Sequence, residues 1–250
     1  MILRHVSVAI VAASIVGATN ADQVTIGADR DNTLYEDVLG SLSNGAGTGM
    51  FAGRSGQDLI RRALISFDVS SAVPAGSAVT DVRLTLHLSR SAGGTNDVSL
   101  FRTLAAWGEG TSVAAGEGGT GAAATANDAT WVHTFFPTQT WAGAGGSDGG
   151  YFAAGSSATL AVGGVSAFYT WQSTGLVSDV QSWVDSPASN FGWTIFGDEE
   201  FSGTAKRFDT REHPDAGVRP QLEITFTPIP SPAGGALLAC SLVVWPRRRR

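Results

Sequence analysis

The stretch Leu59-Ile-Arg-Arg-Ala-Leu-Ile-Ser-Phe-Asp-Val-Ser70 decides how this chain is read. It alternates with a period of two. Arg61, Ala63, Ile65, Phe67 and Val69 fall on one side of an extended strand, and all but the first are apolar. Ile60, Arg62, Leu64, Ser66 and Asp68 fall on the other, mixed side. This is the pattern of a half-buried strand. Ser70 and Ser71 end it, and Pro74-Ala-Gly76 makes a turn. A second alternating run follows at once, with Val79, Val82, Leu84, Leu86 and Leu88 set among polar residues. Two such runs joined by a Pro-Gly turn predict an antiparallel β-domain.

Composition agrees. Thirty-two of 250 residues are glycine and only 15% are charged. The apolar residues come in short groups, which favours strands joined by many turns. Alternating runs are predicted over 23–28, 50–53, 97–104, 157–162, 165–171, 192–198, 205–210 and 221–227. One helix is predicted over 174–185, where Leu176, Val177, Val180, Trp183 and Val184 recur at three- and four-residue spacing behind a capping Ser173 or Thr174. Thr111 to Ser157 is a long section rich in Gly, Ala and Thr, with aromatic islands. The expected fold is an all-β antiparallel sandwich with one short helix and this long loop region. The single cysteine, Cys240, excludes a disulfide framework and a cysteine metal site.

Both ends differ from the middle. Arg4 and His5 precede an apolar run from Val6 to Ala18, with small residues before Asp22, so residues 1–21 read as a secretory signal peptide. At the other end come Pro230-Ser231-Pro232, 13 mostly apolar residues to Trp245, then Pro246 and Arg247, Arg248, Arg249 and Arg250. Thirteen residues are short for a membrane span, which needs about 20. The tail reads as a transient membrane stop with its arginines on the cytoplasmic side. The layout of residues 229–250 resembles the PEP-CTERM sorting signal, with Ser231 where that signal usually carries Glu. The resemblance implies export, signal peptidase and exosortase as processing partners, and a secreted or cell-surface location. Removing Arg4 and the four C-terminal arginines leaves 11 basic against 22 acidic residues, a net charge of −11. Such a surface argues against nucleic-acid binding.

Five segments of the body, residues 22–228, carry a second resemblance. They are Arg62-Ala-Leu-Ile-Ser-Phe-Asp68 with its Pro-Ala-Gly turn, Val82-Arg-Leu-Thr-Leu86, Ala106-Trp-Gly-Glu-Gly-Thr111, the helix with Asn190-Phe-Gly-Trp193, and Arg219-Pro-Gln-Leu-Glu-Ile224. Their order is similar to that of the bacterial DNRLRE-type domain. The resemblance implies a jelly-roll β-sandwich and, by analogy with some relatives, polysaccharide binding.

The residues suggest chemistry of three kinds. Asp29, Asp31, Asn32, Glu36 and Asp37 lie within nine positions. An oxygen-rich loop of this kind suits calcium, and the alternative is a solvated turn. Trp131, Trp141 and Tyr151 lie among small and polar residues and are candidate sugar platforms, the alternative being core packing. Arg62, Arg83 and Arg102 on strands are candidates to pair with acidic polysaccharides. The one Gly-x-Ser-x-Gly match, Gly145-Gly-Ser-Asp-Gly149, lies in the Gly/Ala-rich loop rather than at a strand-to-helix elbow, and no His-x-x-x-His spacing occurs. The leading expectation is therefore a non-catalytic cell-surface or extracellular-matrix protein that binds polysaccharide, with a structural calcium. The alternatives are a purely structural or adhesion protein without a sugar site, and a secreted polysaccharide-degrading enzyme.

Overall fold

The computed structural model describes residues 20–147 and 150–229. The expected signal peptide and the sorting tail from Pro230 onward lie outside them. Residues Ala21–Ile229 form one compact unit. Among the described residues, no helix is long and apolar enough to cross a membrane.

The fold is an all-β, antiparallel sandwich. Its strands in chain order are β1 (Asp22–Gly27), β2 (Arg30–Tyr35), β3 (Leu42–Ser43), β4 (Gly49–Arg54), β5 (Ile60–Ser66), β6 (Ala78–Ser91), β7 (Asn96–Arg102), β8 (Ala122–Ala123), β9 (His133–Phe135), β10 (Gln139–Thr140), β11 (Ala158–Val162), β12 (Ala167–Gln172), β13 (Trp193–Phe196), β14 (Lys206–Asp209) and β15 (Gln221–Thr227). A single helix, α1, spans Thr174–Asp185. Strands β1, β15, β6, β12, β14 and the first half of β4 make one layer. Strands β2, β5, β13, β7 and β11 make the other.

β4 belongs to both layers. Gly49 to Ala52 pair with β14, whereas Gly53 and Arg54 pair with β5. The change of layer occurs at Gly53, whose φ is 110°, a region side chains rarely adopt. A Cβ there would also lie 3.1 Å from Thr204 O and from Ala205 Cα.

The core lies between the layers. β6 supplies Val82, Leu84, Leu86 and Leu88, and they meet Ala63, Ile65, Leu100 and Ile195 from the opposite layer. Each such side chain contributes roughly 1.5–3 kcal/mol by leaving water. The helix closes one end of the sandwich. The Ser173 hydroxyl accepts the Leu176 N–H at 3.1 Å, and Trp183 packs on Trp193 with ring centroids 4.6 Å apart. Asp179 anchors the helix, accepting from the Trp193 indole N–H at 2.8 Å and from the Ser157 hydroxyl.

Two expectations need correction. The central strand is buried on both faces, because Arg62, Leu64 and Ser66 are buried as well as Ala63 and Ile65. The cover comes from residues 104–147, which pack Trp107, Ala129, Trp131 and Trp141 over Leu34 and Leu64 as a second core. Residues 30–35 are a strand rather than a loop. Strand geometry sends Asp31 and Asn32 to opposite faces, so the acidic run does not close into a cage.

Candidate functional site

The expected sugar platform does not form from its tryptophans. Trp131 is 8% exposed and Trp141 4%, so their faces serve the second core. The Trp141 indole donates to Thr130 O at 2.8 Å. Arg62 is also committed. It grips Glu199 through Nε and Nη2, both at 2.8 Å, donates to Gly145 O at 2.6 Å, and lies 5.1 Å over Trp131 and 4.5 Å over Phe196. Arg102 holds the helix, with Nη1 2.9 Å from Ser182 Oγ and Nε 3.6 Å from Asp179. Arg83 remains on an open sheet face, but Asp81 at 3.0 Å and Glu223 at 3.9 Å balance its charge. None of the three is a free cation for an acidic glycan.

Tyr151 packs edge-on against Trp141, with centroids 5.3 Å apart, and also borders a recess at the surface. Residues 151–153 run beside β7, held by Leu104 N–H to Tyr151 O at 2.7 Å and Ala153 N–H to Arg102 O at 2.9 Å. Together with β7 and β13 they line a recess of about 280 Å³ whose rings are Phe101, Tyr151, Phe152 and Phe196. Phe196 meets Phe101 and Phe152 edge-on, with centroids 4.9 and 5.1 Å apart. All four rings are partly exposed. Gly146, Gly150, Ala153 and Ala154 complete the wall and leave the rings accessible.

Further along the same two strands lies a second, polar recess of about 580 Å³, lined by Thr95, Asn96, Asp97, Ser99, Gly197, Asp198, Glu199 and Glu200. Ser99 and Phe196 are cross-strand partners, so the aromatic and polar recesses sit side by side. Asp198 is fixed by the N–H groups of Glu200 and Phe201 and by Asn96 Nδ2 at 3.0 Å. Asp97 and Glu200 are exposed.

The expected calcium ligands disperse. Asp29 accepts from Ser66 Oγ at 2.7 Å, Glu36 from the Ile60 N–H at 2.6 Å, and Asp37 from Ser41. Asn32, 1% exposed, ties three segments together: its Oδ1 accepts from Thr33 N, Ser43 Oγ and Asn44 N, and its Nδ2 donates to Glu109 O at 2.9 Å. Only Asp31 joins other acids, and these are Glu109 and Glu212 from distant segments. Arg211 binds Glu109 through two hydrogen bonds of 2.8 and 2.6 Å. Burial, with the Glu212 charge next in weight, pushes Asp31 well above the usual carboxylate range. Burial likewise raises Glu212.

One further constellation escaped sequence reading. Ser166 Oγ lies 3.3 Å from His87 Nε2, and His87 Nδ1 lies 2.6 Å from buried Asp209. This is the order of contacts in a hydrolytic triad. Arg207, however, already pairs with Asp209 at 2.8 Å, and that ion pair weakens the support a carboxylate gives an imidazolium.

No protein-family model matches the chain, and no curated protein matches it.

Proposed function

We propose that this is an exported, non-catalytic surface or matrix protein whose sandwich binds a neutral or amino polysaccharide. The observation that carries the reading is the set of four rings in one recess, bordered by hydrogen-bonding Asn96, Ser99, Asp97 and Glu200. Sugar rings present apolar C–H faces to aromatic groups and hydroxyls to carboxylates and amides. The site differs from the tryptophan platform expected from sequence. Its carboxylates repel uronates, so the preferred glycan class also changes from acidic to neutral or cationic. The DNRLRE-like order of segments supports a module of this kind, and the leader and tail support export.

The test is affinity electrophoresis of the full-length chain through gels holding a neutral glucan, an amino glycan or a polyuronate. The neutral or amino glycan is expected to retard it. Phe101→Ala and Tyr151→Ala are each expected to weaken that retardation by about tenfold at most. No retardation by any of the three, with an unchanged melting curve, leaves the purely structural alternative. The Ser166–His87–Asp209 contacts favour a second reading, a glycan-acting hydrolase. New reducing ends or released esters in the same incubations, lost in Ser166→Ala, would establish it instead.

A further inference from the structure

We propose that Asp31, Glu109 and Glu212 form a binding site for one calcium ion, independently of any glycan site. Each carboxylate places an oxygen within 4.8 Å of the other two. They arrive from β2, from the start of the long segment after β7, and from the turn after β14. At this spacing the three oxygens can share a single ion.

The decisive observation is what these groups leave unpaired. Asp31 is 0% exposed, yet its Oδ1 has no hydrogen-bond partner. Glu212 Oε2 is buried and equally without a partner. An unpaired carboxylate oxygen in the interior carries a large desolvation cost, and such atoms are rare unless a ligand completes them. The remaining oxygens are held in place. Asp31 Oδ2 accepts the Arg211 N–H at 2.9 Å, and Glu109 Oε1 accepts the Asp31 N–H at 3.0 Å. Glu212 Oε1 lies 2.9 Å from Arg211 Nε. One oxygen of Asp31 and one of Glu212 is thus used for orientation, and the other points free.

Charge and donor type choose the ion. Three carboxylates beside one guanidinium leave a formal charge of −2, which a divalent cation neutralises. All three protein donors are hard oxygens and none is His or Cys, which disfavours zinc. Asp31 and Glu109 are held by backbone N–H groups and Glu212 by the Arg211 guanidinium, so the donors form an irregular shell. Calcium tolerates such a shell and fills it with carbonyls and water, whereas magnesium demands near-ideal octahedral geometry.

The experiment is thermal melting of the full-length chain after treatment with chelator, titrated with calcium chloride or magnesium chloride, alongside equilibrium dialysis against radioactive calcium. One ion per chain is expected, with a melting point raised by about 5–10 °C when calcium exceeds its Kd a hundredfold. Magnesium is expected to give a much smaller shift. Asp31→Asn and Glu212→Gln, made separately, are each expected to remove the binding. A folded wild-type chain that binds no calcium at millimolar concentration overturns the proposal. So does equal binding by wild type and the Glu212→Gln variant, an isosteric change at a partly exposed side chain. Loss of glycan binding alone leaves it intact, because the dialysis reads the ion directly.

Discussion

Asn32 shows how much one buried side chain holds here. Its amide nitrogen faces the carbonyls of Glu109 and Ala129, and its oxygen accepts from three donors. Asn32→Asp keeps the shape but sets a carboxylate oxygen against two carbonyls in the interior. A loss of roughly 3–5 kcal/mol is expected, read as a lower urea midpoint. Asp128 works in the opposite sense. It is wholly buried and its Oδ1 lacks a partner, and burial raises its pKa above the free value of 3.8. A raised folded-state pKa means that the native chain holds this proton more tightly than the unfolded one. The stabilisation is complete below 3.8 and is lost as the pH rises through the raised value. Wild type is therefore expected to lose stability relative to Asp128→Asn with rising pH across that interval, measured by urea melts at several pH values.

Among the elements, β4 matters most because it stitches the two layers together. Gly53→Val meets two penalties at that corner, a positive φ and backbone of Thr204 and Ala205 at 3.1 Å. A loss of about 2–4 kcal/mol is expected, seen as a lower melting point, with the strand content of the surviving fold unchanged. The elements also explain what could be read in advance. β6 and α1 were legible because each buries a single apolar face, and the period of that face appears directly in Val82, Leu84, Leu86 and Leu88 or in Leu176, Val180 and Trp183. β2 was not legible. Asp31, Asn32 and Thr33 are all buried, and their partners are polar groups from other segments, so nothing in the local pattern distinguishes the strand from a solvated turn. The polar face of β5 misled for a related reason: residues 104–147 cover it, and only tertiary packing shows that.

For the molecule as a whole, the sequence located the chemistry less well than the fold. Asp31 was a candidate cation ligand, but its neighbours Glu109 and Glu212 come from positions far along the chain, and no periodicity links them. The aromatic recess likewise draws Phe101, Tyr151, Phe152 and Phe196 from three segments that meet only once the sandwich is closed. Trp131 and Trp141 looked equally suitable in isolation and went inside, because the second core needed large apolar groups over β5. What composition did convey at this scale is the acidic surface, which fits the acidic lining of the polar recess and the balanced arginines.

Lys206 carries one more consequence. It is the chain's sole lysine and is 0% exposed. Its ammonium is enclosed by Ser91 Oγ at 2.8 Å, Asn96 Oδ1 at 3.2 Å and the carbonyls of Gly93 and Gly94. The folded sandwich therefore offers no side-chain amine to its surroundings. Reagents that couple to lysine amines are expected to leave the folded domain unmodified at this side chain and to label it only on unfolding.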